Sequence, residues 1–276
     1  MKKLAALLAV IIFLCSCCNI LSNVPGGRAA ANKDIDKTVA LVAQRGKEVK
    51  PYCSAVWVSD KYLLTAYHCV QGYADFLNSE NAEASTLASG IIGDEEAATL
   101  FPIVVPQNLT IQFVLPSEIT EIGKRPSAIH DSNATLLYHG YDLALLEVVN
   151  PKSVTDHGIA TLADKEPEVG DTLGFVGMPG GLYFTYFTGT YAAFRSDIMY
   201  VPTLGPFAQV SAPIWYGNSG GGDFDQYSHL VGIASFMHGS VPNCGFYIPV
   251  ETIRSVLIGA RIMKANLLIK GLDPEL

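Results

Sequence analysis

Residues 53–69 read Cys53-Ser54-Ala55-Val56-Trp57-Val58-Ser59-Asp60-Lys61-Tyr62-Leu63-Leu64-Thr65-Ala66-Tyr67-His68-Cys69. Two short apolar runs, Ser54 to Val58 and Tyr62 to Ala66, read as strands around the turn Ser59-Asp60-Lys61. The second run delivers a histidine to its end. Further runs of the same kind lie on both sides: Val39 to Ala43, Ile111 to Leu115, Leu143 to Val149, Thr172 to Val176, Leu182 to Thr190 and Leu230 to Ser235. Short strands at this spacing, separated by polar turns, predict an all-β sandwich or barrel. One helix is expected, from about Val250 to Ala265. Glu251 stands in its first turn, and Ile253, Val256, Leu257 and Ile262 share a face.

The chain has 276 residues, 49% apolar and 16% charged, with a net charge of −8. That length can bury a large core. There is no basic run, so no nucleic-acid partner is expected. Lys2 and Lys3 precede the apolar run Leu4 to Leu14, which is too short to span a bilayer and suits a secretory leader. Leu14-Cys15-Ser16-Cys17 resembles a lipobox, in which Cys17 would carry a lipid and tether the protein to a membrane. Cys15 inside the box is unusual, and an ordinary cleaved signal that happens to contain cysteines is the other reading. On both readings the protein is exported, periplasmic or secreted, where disulfides persist. The organisation expected is a leader over 1–18, a linker over 19–36, and one domain over 37–276 with halves at roughly 37–160 and 161–265. Residues 71–100 are weakly patterned and read as a helical or loop insertion, within a stretch to about 130 whose role the sequence does not give.

Three local signals occur in a fixed order. His68 ends an apolar strand. Asp142 opens the apolar run Leu143-Ala144-Leu145-Leu146. Ser219 lies in Gly217-Asn218-Ser219-Gly220-Gly221, where glycines let backbone N–H groups converge beside a hydroxyl. Each alone has a bland structural explanation. Together they supply what a weak serine nucleophile needs: a base, a partner for that base, and donors for a developing oxyanion.

With these residues in view, the chain resembles the trypsin/chymotrypsin superfamily, and within it the HtrA-type branch, over about Cys53 to Leu257. Leu64-Thr65-Ala66-Tyr67-His68-Cys69, Asp142-Leu143-Ala144-Leu145-Leu146 and Gly217-Asn218-Ser219-Gly220-Gly221 are similar to the family's three motifs. Gly177-Met178-Pro179-Gly180-Gly181 with Thr188-Gly189-Thr190, and Gly245-Phe246-Tyr247-Ile248-Pro249-Val250, resemble further segments of that branch. The resemblance implies two six-stranded antiparallel β-barrels with a C-terminal helix. His68 and Asp142 would lie on the first barrel and Ser219 on the second. It implies a serine endopeptidase acting on protein or peptide substrates without metal or cofactor, with an oxyanion hole drawn from Gly217, Asn218 and Ser219. It also implies a disulfide between Cys53 and Cys69, which match a family pair in spacing, and leaves Cys244 as a free thiol unless a leader-proximal cysteine pairs with it.

Two departures stand out. Asn218 replaces the aspartate of trypsin-like zymogens, so their activation switch is not expected. The further peptide-binding domain of HtrA proteins is not expected either. By the same resemblance the substrate pocket is lined by Pro213 at its floor and by Ser235, Phe236, Met237 and Gly245. The absence of a carboxylate at Pro213 argues against selection for Lys or Arg and favours small or medium apolar side chains. An α/β-hydrolase is disfavoured, because its acid and histidine must follow the serine and only 57 residues do so. A silent binding protein on a protease fold is the remaining alternative. Among the other histidines there is no metal-ligand spacing, and Gly174 to Gly181 is not a dinucleotide fingerprint.

Overall fold

The computed structural model describes residues 27–45, 47–71, 108–120, 124–149, 157–196 and 206–263. Twelve strands form two closed barrels of six. The first holds β1 (Thr38–Arg45), β2 (Glu48–Trp57), β3 (Tyr62–Ala66), β4 (Asn108–Val114), β5 (His130–Gly140) and β6 (Leu143–Val148), in the order β1-β2-β3-β6-β5-β4. The second holds β7 (Thr172–Gly177), β8 (Thr185–Arg195), β9 (Phe207–Ser211), β10 (Gly222–Phe224), β11 (Leu230–Met237) and β12 (Cys244–Pro249), in the order β10-β11-β12-β9-β8-β7. All strand pairs within both barrels are antiparallel.

The barrels share a face, and this explains why the deciding strands are continuously apolar. Side chains of a strand alternate between its two faces. In β3, Leu63 and Ala66 enter the first barrel's core, while Tyr62 and Leu64 enter a second cluster between the barrels. In β6, Ala144, Leu146 and Val148 point inward and Leu143 and Leu145 outward into the same shared cluster. Both faces are therefore dry, so neither strand shows the polar alternation of a solvated sheet. The second barrel answers with Phe207, Phe224, Leu230, Ile233, Phe246 and Ile248 on the shared face, and with Phe175, Tyr191, Val210 and Tyr247 inside. The C-terminal helix, Val250–Met263, lays Val250, Ile253, Val256 and Leu257 on the shared cluster. That is the i, i+3, i+6, i+7 stripe of an amphipathic helix.

Three differences from the sequence expectations have physical causes. The linker expected over 19–36 is helical at Arg28–Asp36, and this helix is docked rather than loose. Ala30 and Asp34 are buried, Lys37 lies 3.5 Å from Asp34, and Lys37 Nζ donates to Ser228 O at 2.5 Å. An alanine-rich segment has little to bury by itself, but a single buried charge can anchor it. Second, β5, β9 and β10 were not anticipated. The outer part of β5 is polar, and β10 is three residues long with a glycine at its start. Third, the strand expected from Leu182 begins at Thr185, since Pro179–Gly181 makes a 3-10 turn and Leu182 is exposed. The expected leader, Cys17, and most of the 71–100 insertion lie outside the described residues.

Candidate active site

His68 sits in the helical turn directly after β3, and Asp142 at the two-residue tip joining β5 to β6. Because β3 and β6 pair, with Ala66 opposite Leu143, the sheet itself brings these two together. His68 Nδ1 lies 2.8 Å from Asp142 Oδ2 and 3.0 Å from Oδ1. The His68 main-chain N–H also donates to Oδ1 at 3.0 Å, and Tyr67 N–H donates to the Asp142 carbonyl at 2.9 Å. The imidazole is thus fixed in position and Nδ1 is engaged, which leaves Nε2 for the cleft. Tyr141, just before the aspartate, adopts a left-handed φ of 57°, the conformation this tip requires of a non-glycine residue.

Asp142 is buried, and its other main partner is Ser235, whose hydroxyl donates to Oδ2. Burial by itself would raise the carboxyl's pKa. The facing His68 charge and the hydrogen bonds from His68 and Ser235 outweigh it and hold the group below its ordinary value. His68 shows the mirror image. Burial pulls its pKa down, the Asp142 charge and hydrogen bond push it up, and the net direction is upward.

Ser219 comes from the second barrel, on the loop before β10. Its carbonyl accepts the Ser54 N–H at 2.8 Å, and Ser54 Oγ donates to the Gly217 carbonyl at 2.9 Å. A strand of the first barrel therefore clamps the serine loop of the second. The loop needs glycine twice on hard steric grounds. Gly217 has φ 93°, and a Cβ there would stand 2.2 Å from Met178 O. Gly220 has φ 83°, and a Cβ there would stand 2.0 Å from Ser54 O. Ser219 Oγ donates to Ser235 O at 3.0 Å, rather than to His68. The three sequence-predicted residues are thus gathered at one cleft, with the hydroxyl resting on the carbonyl of Ser235.

Of the three expected oxyanion donors, one is already committed. Asn218 N–H donates to Trp215 O at 3.0 Å, so Asn218 does not join the set. The reason is the tight turn that precedes the serine. Its side chain is buried beneath Gly177. Among the described residues the N–H groups of Gly217 and Ser219 meet no protein acceptor.

The pocket residues behave differently from expectation. Pro213 is exposed, and the buried Ile214 takes the place against Gly245, where an added Cβ would lie 2.3 Å from Ile214 Cγ1. The Gly245 wall is therefore covered by a branched side chain. Phe236 stacks on Phe246 at 4.6 Å, and Met237 packs with the second-barrel core beside Ile214. Ser235 turns its hydroxyl to Asp142 instead of the pocket. Sequence reasoning missed that role, and missed Ser54 entirely. A lone serine inside an otherwise apolar strand was the available signal for it.

Cys53 and Cys69 are joined in a disulfide with Cα atoms 6.1 Å apart. Cys244 is a free thiol, half-buried, with Gln209 Nε2 at 3.4 Å, and burial raises its pKa.

Two six-stranded barrels, with a serine loop from one facing a histidine–aspartate pair on the other, define the chymotrypsin-like class. Residues 53–233 match the trypsin-like peptidase domain family, and the chain belongs to it. It is similar to the periplasmic pH-dependent serine endoprotease DegQ of Escherichia coli (strain K12), 35% identical over 139 residues, covering 48% of this chain and 30% of that protein. It is also similar to the periplasmic serine endoprotease DegP of Salmonella typhimurium, 32% identical over 119 residues, covering 42% of this chain and 24% of that protein. The chain spans under a third of the length of these relatives. Among solved structures it resembles the HtrA-type protease AlgW with tripeptide, at TM-score 0.57 and 21% identity, over 86% of this chain and 63% of that one. The serine endoprotease from Yersinia pestis follows at TM-score 0.54 and 19% identity, over 86% and 66%. At these identities the structural likeness speaks for the fold.

Proposed function

We propose that this chain is an exported serine endopeptidase in which Ser219 is the nucleophile, His68 the general base and Asp142 the residue that orients it. The observation that carries this is the His68–Asp142 pair, with its second ring nitrogen left to the cleft that also holds Ser219. To react, the Ser219 side chain turns from Ser235 O toward His68 Nε2. Its oxygen then attacks a peptide carbonyl while His68 takes the proton, and Asp142 stabilises the imidazolium. The unpaired N–H groups of Gly217 and Ser219 receive the oxyanion. His68 next returns the proton to the leaving amine, and water activated by the same imidazole releases the acyl group from Ser219.

The pocket, with Ile214 set over Gly245, suits small apolar side chains better than medium ones. Export is supported by the leader and by the periplasmic location of the relatives, while a lipid on Cys17 would add a membrane tether. Intact mass of the membrane fraction tests the lipid. A second reading, a silent binder, is favoured by one observation: the serine hydroxyl rests on Ser235 rather than on His68. A fluorophosphonate probe separates the two. Labelling of the wild type that is lost in Ser219→Ala and in His68→Ala supports the enzyme, and an unreactive wild type supports the binder. Either substitution should reduce peptide turnover by several orders of magnitude without unfolding the domain.

A further inference from the structure

The sulfurs of the Cys53–Cys69 bridge have a third neighbour. Both Sγ atoms and a ring nitrogen of His68 all lie within 4.8 Å of one another. The two cysteines are buried, His68 reaches the cleft, and Cys69 Sγ stands 3.6 Å from the Ser219 carbonyl. We propose that this cluster is a redox-gated metal site. Oxidised, the pair braces the turn that carries His68. Reduced, it becomes a two-thiolate, one-imidazole set for Zn²⁺ that removes His68 from service.

The donor chemistry fits that ion. Tetrahedral zinc holds thiolate sulfur at about 2.3 Å and imidazole nitrogen at about 2.0–2.1 Å, which places its ligand atoms roughly 3.3–3.8 Å apart. The His68 nitrogen lies within 4.8 Å of both sulfurs, and reduction frees the bonded sulfurs to part toward that spacing. Two thiolates cancel the charge of the cation, which lowers the cost of holding it in so buried a place. Soft sulfur donors also select zinc over magnesium or calcium. In the disulfide neither sulfur is a thiolate, so the oxidised chain lacks the site altogether.

The redox step balances through thiol–disulfide exchange. A dithiol gives two electrons and two protons to the bridge and itself becomes a disulfide, leaving two cysteine thiols. Zinc then displaces both thiol protons to solvent. Metal on Nε2 would occupy the lone pair that accepts the Ser219 proton. Metal on Nδ1 would displace Asp142. Either way the base is lost. This inhibitory half rests on the reading of His68 given under Proposed function, whereas the metal site itself does not.

The test uses the full chain carrying Cys244→Ser, reduced with a phosphine that takes its oxygen from water as it becomes the phosphine oxide, then freed of reductant without air. Co²⁺ is the probe, read by its thiolate charge-transfer and tetrahedral ligand-field bands. Cys15, Cys17 and Cys18 give a background that is subtracted with Cys53→Ser/Cys69→Ser. Beyond that background, the reduced chain should gain one Co²⁺ that Zn²⁺ displaces, and the air-oxidised chain none. His68→Ala should weaken the reduced site by at least about tenfold. Equal uptake by reduced and oxidised chains, or uptake indifferent to His68→Ala, overturns the proposal. Should the double-serine chain not fold, the His68→Ala shift decides it alone, because Cys15, Cys17 and Cys18 contribute equally with and without that substitution. In parallel, Zn²⁺ should suppress fluorophosphonate labelling of the reduced chain at least about tenfold, and a chelator should restore it. The two readings fail separately. A cobalt site in a chain whose oxidised form never labels sinks the protease reading and leaves the metal site, while a labelled chain without the cobalt site does the reverse.

Discussion

His68 is subject to opposed influences on its proton. Burial disfavours the charged ring and Asp142 favours it, with the net effect upward from 6.5. A general base works only when neutral. Activity should therefore be lost as pH falls through a midpoint above 6.5, read from kcat/KM against pH. Asp142→Asn removes the cause of the rise. It should move that midpoint down and, by mis-setting the ring tautomer, cost about 10⁴-fold in kcat. An unmoved midpoint would mean that Asp142 does not set the imidazole. Stability runs the other way. The folded state holds the His68 proton more tightly than the unfolded chain, so this contribution is complete below 6.5 and disappears as pH rises through the folded value. At this scale the three residues proposed for the triad could be picked out in the sequence because their signals are local: a glycine-bracketed serine, and a histidine and an aspartate at strand ends. Ser54 and Ser235 were not legible in their roles, because what each serine touches is set by pairing between distant strands.

At the scale of elements, the serine loop and the bridged strand pair carry the strain and the bracing. Gly220→Ala would place a Cβ 2.0 Å from Ser54 O and 2.2 Å from Thr65 Oγ1, at a φ of 83°. It should destabilise by about 2–4 kcal/mol and unseat the clamp between Ser54 and the loop, so that melting temperature and probe labelling fall together. A variant with native melting would show that the loop relaxes freely. The disulfide closes a separation of 16 residues and should contribute about 3 kcal/mol. For a domain of this size, that lowers the melting temperature by roughly 6–12 °C on reduction, measured with a chelator present so that metal plays no part. An unchanged melt would remove the bracing role. Continuous apolar runs made β3 and β6 readable. The outer half of β5 and the whole of β10 were not, since a short or half-solvated strand is held by its neighbours rather than by its own pattern.

For the whole molecule, the shared cluster decides whether the barrels are two folding units or one. Val56, Tyr62, Leu64, Leu143 and Leu145 from the first barrel pack in the same cluster as Phe224, Ile233, Phe246 and Ile248 from the second. The helix Arg28–Asp36 adds a crossing tie, since Lys37 bonds Ser228 O and lies 4.9 Å from the Phe224 ring centre. Parting the barrels would expose this whole cluster to water, so the two should unfold together. The chain offers its own reporters, because it has two tryptophans. Trp57 is buried in the first barrel, and Trp215 is exposed on the second just before the serine loop. Trp215→Phe leaves a probe of the first barrel, and Trp57→Phe a probe of the second. Their denaturation curves, each set against far-ultraviolet circular dichroism of the same variant, should coincide. Phe224→Ala, made in the second barrel, should cost about 3–5 kcal/mol and shift the Trp57 signal as much as the Trp215 signal. A first-barrel transition that stays in place while the second moves would show that the barrels are separable. The cleft would then be a docking of two independent domains, and the Ser54 clamp a contact made only after each has folded.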